Sequence, residues 1–107
     1  MIILCGCAGA GRLLVGSPMA VEHLEGNYER LAACTYKQLG RRHGQLLMTD
    51  LREHRSVTVA STRSSGAHWE LAFINEDEGR QTRLEVTSAD GSFPGEHVLA
   101  LARACAA

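Results

Sequence analysis

Between Arg55 and Ser88 the apolar residues fall on every second position, and no other stretch constrains the fold as tightly. Val57 and Val59, then Trp69, Leu71 and Phe73, then Leu84 and Val86 keep this spacing. Thr58, His68, Glu70, Ala72, Arg83, Glu85 and Thr87 take the positions between. A strand sends successive side chains to opposite faces, so this pattern predicts three strands with one dry face and one wet face. The interruptions, Ser64-Ser65-Gly66 and Glu76-Asp77-Glu78-Gly79, carry turn residues. Both are hairpin length, whereas parallel pairing needs a crossover of a dozen or more residues, so a three-stranded antiparallel meander is expected. Its dry face needs a cover, because a single sheet cannot bury itself.

Helices at either end supply that cover. Asn27 is a suitable N-cap for a helix to about Leu39, along which Tyr28, Leu31, Thr35 and Leu39 form a stripe with Ala32 and Cys34 beside it. Gly40 suits the position just past its end, and Arg41, Arg42 and His43 then follow a carboxyl terminus that favours cations. A closing helix starts near Pro94, with Val98, Leu101, Ala102 and Cys105 on one face. Leu46, Leu47, Met48 and Leu51 are apolar without clean alternation, which fits a short edge strand or an extended connection. Ser17-Pro18 is a helix-start signal for a short helix through Leu24, ending at Gly26. The expected fold class is α+β: a two-layer sandwich in the order α-β-β-β-α, its meander covered on one face by two helices. Residues 27–107 form this domain, and residues 1–26 a leader and tether.

At 107 residues the chain is one domain. Its 11 Lys plus Arg against 12 Asp plus Glu give no basic stripe, which excludes nucleic acid as the main partner. No apolar run approaches the roughly 18 residues of a membrane span.

Four cysteines remain to be placed. Leu4-Cys5-Gly6-Cys7 resembles the lipobox of bacterial lipoproteins, with an apolar residue at −3, a small one at −1, and a cysteine that is lipidated after cleavage. On that resemblance Cys7 is the lipidated residue, and Met1 lies inside a truncated or mis-started signal. The alternatives are an apolar tail with no such role, or a Cys5/Cys7 pair holding a soft metal such as Cu(I), with His23 as a further ligand. Cys34 lies on the inner half of the first helix and Cys105 on the inner stripe of the last. Both helices must lie over the same sheet face, so the two cysteines come within reach of a disulfide. Such a bond belongs in an oxidising compartment, the periplasm in a bacterium. Two buried free thiols are the other possibility.

Leu31-Ala32-Ala33-Cys34 on a first helix, Trp69-Glu70-Leu71 in a middle strand and Ala104-Cys105 at the end resemble small uncharacterised proteobacterial envelope lipoproteins. The similarity spans roughly Asn27 to Cys105 and its motifs are loose. It implies an envelope location, lipid-anchored at the outer or inner membrane, and a paired-cysteine framework. It implies no activity.

No catalytic constellation stands out. His23, His43, His54, His68 and His97 form no i, i+4 pair on one helix and no HExxH motif. Cys34 is placed for burial rather than for nucleophilic attack. Ser64-Ser65-Gly66 lacks the strand–turn–helix context of a nucleophile elbow, and Gly9-Ala10-Gly11 lacks the strand and acidic residue of a dinucleotide site. No cofactor or metal site is expected. His68 and Glu70 on the middle strand, with Arg83 and Glu85 on the third, share the wet face as a candidate binding surface, which ordinary cross-strand pairing also explains. The expected function is therefore non-enzymatic: an envelope domain tethered through Cys7 that presents its sheet face or a strand edge to another envelope protein. The rivals are a metal-handling protein built on Cys5 and Cys7, and a cytosolic regulator or enzyme with free thiols.

Overall fold

The structure, a computed structural model, describes residues 18–41, 45–63, 66–88 and 96–106, with backbone alone at 62–63 and 66–68. Cys5, Cys7, the Ser64-Ser65 turn, and the stretch from Asp90 to Pro94 lie outside the described residues. The elements are β1 (Ala20–Glu25), α1 (Tyr28–Gly40), β2 (Leu46–Leu51), β3 (Ser56–Arg63), β4 (Gly66–Glu76), β5 (Gln81–Ser88) and α2 (Glu96–Ala106). The strands form one antiparallel sheet in the order β1-β5-β4-β3-β2. The fold is α+β. Among the described residues no helix is long and apolar enough to cross a membrane.

The expected meander is the centre of this sheet. Val59 sits opposite Leu71 and Leu71 opposite Val86; Val57 sits opposite Phe73 and Phe73 opposite Leu84. Partners across a ladder point the same way, so these residues, with Trp69, share one face. They form a single core with Leu31 and Leu39 of α1 and Val98, Leu99 and Ala102 of α2. Both helices therefore pack on this helix face. The opposite one is called the far face below.

Two expectations about strand number are corrected. The short helix predicted through Leu24 is instead strand β1, paired with β5 from Ala20↔Val86 to Glu25↔Gln81. The folded sheet thus reaches back to Ala20, ahead of the boundary expected at Asn27. β1 is a strand because Ala20 and Leu24 fall on the helix face beside Val86 and Thr82, where a neighbouring strand satisfies backbone groups that so short a helix leaves open. At the other edge the ambiguous Leu46–Leu51 stretch is a strand on β3, with Met48 opposite Val59. Among the described residues the sheet has five strands, where three were expected.

The turn between β1 and α1 uses a glycine because its backbone requires one. Gly26 has φ +120, and its N–H donates to the Arg80 carbonyl at 2.9 Å. Its own carbonyl accepts from the Thr82 hydroxyl at 2.9 Å. A Cβ here would lie 3.2 Å from Arg30 Nη2, on a backbone that L side chains rarely adopt. Asn27 then caps α1 as expected, its Oδ1 accepting from the Glu29 and Arg30 amides at 2.9 and 3.2 Å. Gly40 is not the left-handed residue past the helix. It lies within α1, and Arg41, at φ −76, ends the helix right-handed with its N–H on the Gln38 and Leu39 carbonyls.

Candidate functional site

The helix pair carries the most constrained feature. Leu31, Ala32, Thr35 and Leu39 turn one stripe of α1 into the core, which leaves Cys34 at its margin facing α2. On α2, Val98 and Ala102 are buried and Cys105 packs at the end of the same stripe. Cys34 and Cys105 are joined in a disulfide with Cα atoms 5.9 Å apart. This is the pairing expected from the two helical stripes.

The far face brings charged residues together. Arg83 on β5 donates from Nε to Glu85 Oε2 at 3.0 Å and from Nη1 to Glu76 Oε2 at 3.1 Å. The other Glu76 oxygen meets His23 Nδ1 at 3.0 Å. The ladder explains the cluster: His23 is directly opposite Arg83 across β1 and β5, and Glu76 ends β4 beside them. Arg83 and Glu85 are thus brought together as the alternation predicted. Pairs this close to solvent are worth about 0–1 kcal/mol each.

The other two candidates stand on β4. His68 is on β4 at the point where the pairing with β3 slips from Ser61↔Trp69 to Thr62↔Ala67. Glu70 is on the far face, opposite Ala60 and Thr87, but it is not wet: its exposure is 0%. The expected solvated carboxylate is a buried one. His23 and Glu76 were missed, because His23 joins the cluster only through β1, which the sequence signalled as a helix.

The two sheet edges differ. β1 carries Glu22, His23 and Glu25. Glu22 forms a two-pronged ion pair with Arg103 of α2, which also reaches Glu96 at 3.1 Å, and His23 is held by Glu76. Charges of this kind protect an edge from pairing with another chain. β2 starts Leu46-Leu47-Met48-Thr49 with no charge, bulge or proline, and Leu47 and Met48 are 45% and 42% exposed, on opposite faces. Its one acidic residue, Asp50, is taken up by Arg52 at 3.2 Å.

Among the described residues no group of three or more His, Cys, Asp or Glu side chains is placed to hold a metal ion. Burial, reinforced by the Glu29 and Asp50 carboxylates, holds the Tyr28 phenol above the ordinary tyrosine range. No family model, curated protein or solved structure matches the chain.

Proposed function

We propose that this chain is a non-enzymatic accessory domain of the bacterial envelope, tethered through a lipidated Cys7 and binding another envelope protein along the bare β2 edge. The disulfide between Cys34 and Cys105 is the observation that carries the reading. Stable disulfides accumulate in oxidising compartments, the periplasm among them, and are rare in the cytosol. The β2 edge supports the second half. Its outer backbone groups are unclaimed by any described strand, and Leu47 and Met48 flank them with apolar surface. Main-chain hydrogen bonds to an added strand give affinity, and side chains on either face give selectivity.

Intact mass after expression in a secreting bacterial host tests this. The expected product begins at a diacyl-modified Cys7, with Cys34 and Cys105 resisting alkylation until reduced. An unprocessed chain with four freely alkylated thiols overturns the proposal in favour of a cytosolic protein. Copper or zinc retained by Cys5 and Cys7 on an unprocessed chain overturns it in favour of metal handling.

A further inference from the structure

The open β2 edge is complementary to itself. On β1 the Glu22 carboxylate is held by Arg103 of α2, and His23 and Glu25 add further polar groups. On β2 the apolar run Leu46-Leu47-Met48 stands at the edge, Leu47 and Met48 are 45% and 42% exposed, and no described strand lies beyond. A sheet with one guarded edge and one open edge pairs once and stops. Self-association then closes as a pair instead of running on as a fibre.

Two copies joined through antiparallel β2 strands are related by a twofold axis perpendicular to the sheet, so both helix layers fall on one side. Residues directly opposite then share a face, and the axis must pass a residue that meets its own copy. Leu46, Met48 and Asp50 are on the helix face, opposite Ser61, Val59 and Val57, and Leu47 and Thr49 are on the far face. An axis at Asp50 opposes two carboxylates. At Thr49 it sets Met48 against Asp50, at Met48 it sets Leu46 against Asp50, and at Leu46 it sets Leu47 against Gln45. Leu51 adjoins the turn at Arg52–His54, which cannot extend the ladder. An axis at Leu47 pairs like with like: Leu47 with Leu47, Leu46 with Met48, and Gln45 with Thr49. Asp50 then lies beyond these pairs and keeps its Arg52 partner. On the helix face Met48 of one copy meets Leu46 of the other, and Leu46 already packs against the core. The apolar layer beneath the helices thus continues across the junction.

We propose that this chain forms a twofold pair through β2, centred on Leu47, that joins two sheets into one. The inference rests on β2 being the binding edge, as proposed above, and names its partner as a second copy; it does not require a lipidated Cys7. Contact along one short strand places the pair among small, transient interfaces. Copies tethered to one membrane would meet at a raised effective concentration.

Sedimentation of the unlipidated, oxidised full chain between about 5 µM and about 1 mM tests this. The parent is expected to pass from monomer to dimer. Leu47→Lys and Leu47→Glu each set like charges opposite one another at the axis and should weaken the pair at least tenfold. An equal mixture of the two variants should restore it, because opposite charges then meet. Leu47 is exposed, so both variants should keep the fold, which far-UV circular dichroism checks. Val21→Lys, at an exposed position on β1, should leave the dissociation constant within about twofold. A parent that stays monomeric to about 1 mM overturns the second copy as partner and leaves the β2 edge to a different protein. A dimer that Leu47→Lys does not weaken overturns this use of the β2 edge as well. Loss in both Leu47 variants without recovery on mixing overturns the register centred on Leu47.

Discussion

Opening the disulfide should remove a large share of the stability of this domain. Cys34 and Cys105 are 71 residues apart in sequence, so the bond closes most of the described chain into one loop. On the chain-entropy model a loop of that length restricts the unfolded state by about 15 cal/mol/K, or about 4 kcal/mol at 25 °C. A domain of this size is stable by roughly 5–15 kcal/mol in total, so the loss is about a quarter or more of the whole. For a chain near 100 residues each kcal/mol moves the midpoint by about 4–8 °C, which puts the expected drop at roughly 15–30 °C. The assay is urea and thermal unfolding of the parent chain, oxidised and reduced, beside Cys34→Ala/Cys105→Ala. The reduced parent and the double variant should agree within about 1 kcal/mol, since both lack the crosslink and differ only in two small side chains. The double variant should not respond to reductant. If the oxidised and reduced parents unfold together while the double variant is much weaker, the two cysteines matter through packing, and the crosslink reasoning fails.

Three further outcomes follow from single positions. Trp69 is 2% exposed on the helix face, so Trp69→Ala should cost about 3–5 kcal/mol by denaturant unfolding; a loss under 1 kcal/mol contradicts its place in the core. Asn27→Ala removes the acceptor for two α1 amides and should cost about 1 kcal/mol, with Asn27→Asp nearly neutral. Because the folded state holds the Tyr28 proton more tightly than the unfolded chain, stability should fall as pH rises past the ordinary tyrosine value of about 10. Tyr28→Phe should flatten that decline, and an identical pH profile in the variant refutes the assignment.

The meander was legible because its apolar positions obey one rule over three strands, and the helix stripes were legible for the same reason at another period. The two edges were not, each for its own cause. In β1 the helix-face set is Ala20, Glu22 and Leu24, so a charge stands where the alternation calls for an apolar residue. Glu22 is tolerated there because Arg103 of α2 comes over the sheet edge to meet it, a contact 81 residues away in sequence. The proline at 18 then made a helix the more economical reading. In β2, Leu46, Leu47 and Met48 run together without alternation because an edge strand with no described neighbour beyond it leaves apolar residues half-exposed on both faces.

The site shows a limit of a different kind. Alternation assigns a residue to a face and says nothing about what lies over that face. Arg83 and Glu85 were placed correctly, and their contacts follow from position alone. Glu70 was placed on the correct face and given the wrong environment, since a polar residue at a period-two position reads as solvated whether or not it is covered. A glutamate is among the residues least often fully buried, so a single buried one in the middle of a sheet is informative in the way an exposed one is not.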